Sequence, residues 1–93
     1  MSIHDKYYSA DGEILDWEVP GFCEQDAKYA LGSENVISIR FMYQGWSYLM
    51  WMDLEAAQDG KPLNTVVSEL CPDGGRIWTS IWGDVVIVLD RGA

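Results

Sequence analysis

The side chains that could carry nucleophilic chemistry are few and widely spaced in this sequence. The one histidine, His4, lies near the N-terminus, and the two cysteines, Cys23 and Cys71, are too far apart to form a CxxC motif. A cysteine–histidine catalytic pair would need the terminal segment to be held within hydrogen-bond distance of a thiol. Because terminal segments tend to fray, we expect no such pair, and we expect both cysteines to be reduced and buried.

Paired carboxylates are the second arrangement that could do chemistry. Asp16 and Glu18 flank Trp17, so both carboxylates would lie on one face of a strand. Such a pair could act as an acid and a base or hold a hard cation. However, a chain with 15 acidic residues contains close pairs by chance. We therefore interpret the pair as the solvated edge of a sheet, where charge discourages pairing with other chains.

Motifs for the common catalytic sites are absent from the sequence. It has no glycine-rich phosphate loop, HExxH motif, zinc-ligand cluster or nucleophile elbow. A chain of 93 residues forms one small domain and buries only a little over half of its unfolded surface, which is too little for a deep substrate cleft. We therefore predict a single globular domain over residues 1–93 that is not an enzyme and uses no metal or cofactor.

Negative charge is concentrated in the N-terminal third of the chain. Residues 1–34 contribute −6 of the net charge of −9. Such a region repels nucleic-acid phosphates and anionic membranes, and it accelerates encounter with basic surfaces. The N-terminus lacks the apolar core of a secretory signal, and no apolar run approaches the roughly 20 residues of a transmembrane helix. We expect a cytoplasmic protein whose partner is a basic protein and neither nucleic acid nor a membrane.

Turn signals divide the chain into the short elements that would position these side chains. Asp11 and Gly12 lie between two strand-like segments, residues 6–10 and 13–19, and a two-residue loop there would place Tyr8 opposite Leu15. Residues 22–31 predict a short helix that ends at Gly32.

A second hairpin is predicted because the odd positions of residues 36–43 are all apolar. A turn at Gln44 and Gly45 would pair Tyr43 with Trp46, and it would place the apolar sets of both strands on one face. The same register predicts three further pairs, Phe41 with Tyr48, Ile39 with Met50, and Ile37 with Met52. The reverse face carries Met42, Leu49 and Trp51, and it is a candidate contact surface.

The remaining third of the sequence predicts two helices and a last hairpin. Asp53 would cap a helix over residues 54–57, and a second helix would begin at Pro62 and bury a stripe that ends at Leu70. Residues 76–82 would pair with residues 85–90 through a turn at Gly83 and Asp84. The fold class is therefore α+β, an antiparallel sheet built from hairpins in the order ββ-α-ββ-αα-ββ, with two or three short helices packed on one face.

Charge and aromatic content together favour a protein-binding function. The protein resembles immunity proteins and phage-encoded inhibitors of bacterial defence nucleases in size and charge. That resemblance implies an anti-CRISPR-like or immunity-type inhibitor that blocks a basic, nucleic-acid-handling surface of its partner. Acidic side chains would supply steering and ion pairs, and tryptophans would supply desolvated contact area. The candidate partner-binding residues are Asp11, Glu13, Asp16, Trp17, Glu18, Glu24, Asp26 and Trp51.

A structural or assembly role is the alternative hypothesis. The spare apolar face with Met42, Leu49 and Trp51 would then be buried in a homo-oligomer, for which a symmetric homodimer is the commonest form. The acidity would serve solubility alone.

Overall fold

The computed structural model describes residues 3–17, 23–69 and 81–90, and these residues form an α+β fold around one antiparallel sheet. The sheet has five strands in the spatial order β2-β1-β5-β4-β3. In chain order the elements are β1 (Lys6–Tyr8), β2 (Ile14–Asp16), α1 (Glu24–Leu31), β3 (Val36–Tyr43), β4 (Trp46–Asp53), α2 (Thr65–Ser68) and β5 (Val85–Leu89).

The second hairpin, formed by β3 and β4, has the predicted register along its whole length. Tyr43 pairs with Trp46, and the three further predicted pairs are all present. Gln44 and Gly45 both adopt positive φ, 52° and 84°, as a type I′ turn requires. The apolar face fixes this register, because a slip of one residue would turn every buried side chain toward solvent.

The first hairpin, formed by β1 and β2, differs from the prediction by one residue. Tyr8 pairs with Ile14 and not with Leu15. The loop is one residue longer than expected: Ser9 N–H donates to the carbonyl of Glu13 at 2.8 Å, and Gly12 has φ 96°. A three-residue loop with glycine at the left-handed position is the next most common hairpin connection after the two-residue loops.

β5 occupies the centre of the sheet and pairs on both of its sides. Val85, Val86 and Ile87 are opposite β1 on one side and β4 on the other. The predicted hairpin between residues 76–82 and β5 is therefore wrong in its pairing, since both hydrogen-bonding edges of β5 are taken. Most of the segment 76–82 lies outside the described residues. The expectation that β5 is covered on both faces is confirmed, since residues 85–88 are all buried.

The main core lies on one face of the sheet, here called the first face. The fully buried side chains of Met50 and Ile87 lie at its centre, and α2 covers it with Val67. The other members of this core are Tyr8, Phe41, Tyr48, Ile81 and Val85.

The opposite face of the sheet, the second face, is covered as well. Val86 and Val88 alternate with the core residues along β5, so they point to this face, and both are buried. α1 contacts β3, β4 and β5, and its Ala27 is fully buried without belonging to the first-face core. The two described helices therefore lie on opposite faces, whereas the sequence predicted all helices on one face. A central strand that is apolar on both sides needs cover on both.

The segment between β4 and β5 contains less helix than predicted. Residues 54–60 form a series of turns and not a helix, although Asp53 does accept a hydrogen bond from Glu55 N–H at 2.9 Å. α2 begins after Asn64, whose side chain accepts from Val67 N–H at 3.2 Å. Asparagine is among the best N-cap residues, so the helix starts there and not at Pro62. The predicted stripe residue Leu70 lies outside the described residues.

Candidate protein-binding surface

One edge of the sheet, at the outer side of β2, combines acidic and apolar side chains that face solvent. We call this surface the acidic edge, and it consists of Asp11, Glu13, Ile14, Leu15 and Asp16. All five residues are exposed, with 50% of Ile14 and 48% of Leu15 accessible. Three of the predicted site residues, Asp11, Glu13 and Asp16, are therefore exposed in β2 and the loop before it.

Asp16 is the member of the acidic edge that has a basic neighbour. Its carboxylate accepts a hydrogen bond from Lys6 Nζ at 2.7 Å. This hydrogen bond, together with the positive charge of Lys6, holds the pKa of the Asp16 carboxyl below its usual range. Neither Asp11 nor Glu13 forms an ion pair in the described part of the chain. Their charges are thus available to an external basic group.

Trp17 supports the acidic edge from the second face. It is half-buried, and its ring lies 5.6 Å from the ring of Tyr7, centroid to centroid. The backbone N–H of Trp17 donates to the carbonyl of Asp5 at 2.8 Å, which continues the pairing of β1 and β2 by one residue. The Tyr7 hydroxyl donates in turn to Asp84. Trp17 therefore fixes the base of the hairpin, and only part of its surface remains for contact with a partner.

The other two predicted acids with described positions belong to the start of α1. Asp26 accepts hydrogen bonds from both the backbone N–H and the thiol of Cys23, at 3.0 and 3.3 Å. Glu24 lies 3.7 Å from Lys28, one helical turn later. Asp26 therefore satisfies the N-terminus of α1, where a carboxylate is favourable. Cys23 is a free and exposed thiol, so the expectation that it is buried is wrong. Glu18 and Cys71 lie outside the described residues.

Trp51 lies far from the acidic edge. Trp51 of β4 pairs with Val86 of β5, and Val86 pairs in turn with Tyr7 of β1. Tyr7 then pairs with Leu15 of β2. Three strand spacings separate Trp51 from Leu15, a distance of about 14 Å. Trp51 is half-buried, as is Leu49, while 45% of Met42 is accessible. The apolar face of the alternative hypothesis is therefore partly covered by the protein itself.

A cavity of about 230 Å³ lies beside the loop of the first hairpin and was not foreseen from the sequence. Asp11, Asp53, Asp84 and Lys61 line it. Asp84 accepts hydrogen bonds from Tyr7 and from Ala10 N–H, the latter at 2.8 Å, so this carboxylate holds the hairpin against β5. Because these lining residues come from separate segments of the chain, no spacing in the sequence indicates the cavity.

The described residues contain no group of three or more His, Cys, Asp and Glu side chains that could hold a metal ion. Among these same residues, no helix is long and apolar enough to cross a membrane. Comparison with protein-family models, curated proteins and solved structures gave no match to this chain.

Proposed function

We propose that this protein is a small acidic inhibitor that binds a basic protein through the acidic edge. The partner surface that it blocks is one that handles nucleic acid, so the role is immunity-type or anti-CRISPR-like. One observation carries the proposal: Ile14 and Leu15 are half exposed on β2, with Glu13 directly before them and Asp16 directly after them. Apolar side chains in such a position gain free energy when a partner covers them.

The charges around this strand favour a basic partner. Three basic side chains already form ion pairs within the protein: Lys6 with Asp16, Lys28 with Glu24, and Arg40 with Asp90. In the described residues these pairs leave Lys61 as the one further lysine or arginine, and the net charge of the chain is −9. A surface of this kind speeds association with a basic partner and repels nucleic acid. It would compete for a site that normally holds phosphates.

Two charge-reversal variants test this proposal. Asp11→Lys with Glu13→Lys reverses the acidic edge, and Glu34→Lys with Glu69→Lys makes the same change in net charge elsewhere. All four residues are exposed. The first variant should bind the partner about tenfold more weakly or worse, because it replaces attraction with repulsion. The second variant should bind almost normally.

The measurement has two steps. Tagged protein captures its partner from a bacterial lysate at low salt, and the purified partner is then assayed for nucleic-acid binding or cleavage with a stoichiometric amount of each variant. We expect inhibition by the wild type and the Glu34 and Glu69 variant only. Equal loss in both variants would contradict a role for the acidic edge. Capture of nothing by a protein that light scattering shows to be a stable dimer would favour the assembly role instead.

A further inference from the structure

We infer that the acidic edge binds by strand addition, in which an extended basic segment of the partner pairs with the outer edge of β2. This inference rests on the proposed function, and it specifies the binding mode and the chemistry of the partner. In the part of the chain that the structure describes, β2 pairs with β1 alone. Among these described residues its other side is an open sheet edge, to which a peptide strand can be added.

The hydrogen bonds of the first hairpin show which backbone groups face this open edge. Ser9 bonds to Glu13, and Trp17 bonds to Asp5, each at 2.8 Å. In an antiparallel pair, residues alternate between hydrogen-bonded and non-hydrogen-bonded positions. The hydrogen-bonded positions are therefore Glu13, Leu15 and Trp17, which are two residues apart along the chain. Their N–H and C=O groups point toward β1. The N–H and C=O groups of Ile14 and Asp16 point outward, where an added strand would bond to them.

The side chains on β2 specify the composition of the added strand. Ile14 lies opposite Tyr8, and Asp16 lies opposite Lys6, so both are on the first face of the sheet. Leu15 lies on the second face, and Glu13 shares that face by alternation. An added strand thus meets one apolar and one acidic side chain on each face. Two adjacent apolar residues flanked on each side by lysine or arginine would satisfy both faces, because opposite charges in cross-strand positions attract.

The net charge disfavours a second copy of this protein as the occupant. Each copy carries a net charge of −9, so two β2 strands brought together would meet a repulsion that a basic segment does not. β3, at the other edge of the sheet, carries no acid, and its one charged residue is Arg40. A basic strand has no complementary charge on β3. Charge therefore selects both the edge and the partner.

The substitution Ile14→Pro tests this geometry directly. Proline removes the N–H that points outward, while the ladder between β1 and β2 loses no hydrogen bond, and proline is tolerated at such an edge position. Ile14→Ala is the matched control, because it shortens the side chain and keeps the N–H. The probe is a hexapeptide with Lys-Val-Val-Lys at its centre, titrated at low salt. A second peptide of the same sequence has every backbone amide N-methylated, so neither of its edges can donate to β2 and the methyl groups block close approach.

We expect the unmodified peptide to bind the wild type and to slow amide hydrogen exchange at Ile14 and Asp16. Ile14→Pro should weaken this binding by about tenfold, the equivalent of one ordinary hydrogen bond. The N-methylated peptide should bind more weakly than this, by well over tenfold, because it loses several hydrogen bonds. Ile14→Ala should have a smaller effect than Ile14→Pro.

Two results would overturn strand addition. One is failure of the unmodified peptide to bind the wild type. The other is equal binding of both peptides without added protection of Ile14 and Asp16, which would show attraction by charge alone. Because the N-methylated peptide needs no variant, the test holds even if Ile14→Pro does not fold. The proposed function is judged separately, by the Asp11 and Glu13 variant and the captured partner.

Discussion

The two described hairpins are held in the sheet by different forces. The β3–β4 hairpin has eight pairs in register, a type I′ turn and an apolar face whose Phe41, Tyr48 and Met50 are buried in the core. The β1–β2 hairpin has three pairs and places one side chain of its strands, Tyr8, in the core, so polar side chains supply much of its anchoring. Asn64 donates to the carbonyl of Tyr8 at 3.0 Å, and Asp84 accepts from Tyr7 and Ala10.

This difference explains why the two hairpins are suited to different tasks. The β3–β4 hairpin contributes the buried side chains of Phe41, Tyr48 and Met50 to the core on the first face of the sheet. Polar contacts anchor the β1–β2 hairpin through β1 and the start of its loop, which leaves every residue of β2 exposed. This separation between the anchored strand and the exposed strand is what the proposed binding surface requires.

The largest expected effect comes from Asn64→Ala, which removes an anchor of the β1–β2 hairpin. Asn64 is fully buried, and its side chain makes three hydrogen bonds. It donates to the carbonyls of Tyr8 and Gly83, and it accepts from Val67 N–H. Its loss should lower the free energy of unfolding by about 3 kcal/mol, since buried carbonyls lose their donors and α2 loses its N-cap. Urea denaturation gives this value.

The control for this experiment is Thr65→Ala, at the exposed neighbouring position. It should change stability by about 0.5 kcal/mol or less. Amide hydrogen exchange adds a sharper result, because Asn64→Ala should increase local opening of β1 and β2 more than that of β3 and β4. Equal loss of protection in both hairpins would show that they are not anchored separately.

Tyr7→Phe should have an intermediate effect. The substitution removes the hydrogen bond to Asp84 and should cost about 1.5 to 2 kcal/mol at neutral pH. Burial, then the hydrogen bond to Asp84 and its negative charge, raises the pKa of the Tyr7 hydroxyl. A raised pKa in the folded state means that this contribution is fully present below the unfolded value of about 10 and is lost as pH rises above it.

Denaturation at increasing alkaline pH tests the sign of this effect. Wild-type stability should fall above about pH 10, and Tyr7→Phe should fall less steeply. Tyr8 contributes in the same direction, because burial and the neighbouring Tyr43 and Tyr48 raise its pKa to about 12. An identical alkaline slope in the wild type and Tyr7→Phe would mean that Tyr7 does not anchor the hairpin through a protonated hydroxyl.

The smallest effect should come from the exposed ion pair between Lys6 and Asp16. The pKa of Asp16 is lowered by the Lys6 hydrogen bond, so any stabilisation is present above the unfolded pKa of about 4 and is lost as pH falls through the folded value. NMR titration of the Asp16 carboxyl should give a midpoint below the usual range. In Lys6→Met the midpoint should return to that range, and an unchanged midpoint would exclude Lys6 as the cause.

The sequence predicted the two hairpins with unequal accuracy, for the same reason that they are held differently. Alternation of apolar residues determines which face of β3 and β4 is buried, and the turn at Gln44 and Gly45 determines the register between the strands. The β1–β2 loop contains an Asp-Gly signal that fits two loop lengths, and the exposed Ile14 and Leu15 give no burial pattern to choose between them. The predicted register was therefore wrong by one residue.

The candidate site was predictable only in part. The concentration of negative charge in one short segment indicated Asp11, Glu13 and Asp16 as candidate binding residues, and all three are exposed. It did not distinguish them from Asp26, whose carboxylate caps a helix, since both kinds of acid look alike in sequence. The insertion of β5 between β1 and β4 follows from long-range pairing, which local patterns do not encode. The anchors Asn64 and Asp84 depend on that insertion, so they could not be foreseen either.

The central place of β5 has a consequence for synthesis on the ribosome. Domains emerge from their N-terminal end, at about 5 to 20 residues per second. The β3–β4 hairpin is local and can form early, but β1 has no place in the sheet until residues 85–89 emerge to pair with it. A nascent chain therefore exposes its acidic segment before β2 is held in the sheet. If binding occurs by the proposed strand addition, it can begin only after β5 has been made.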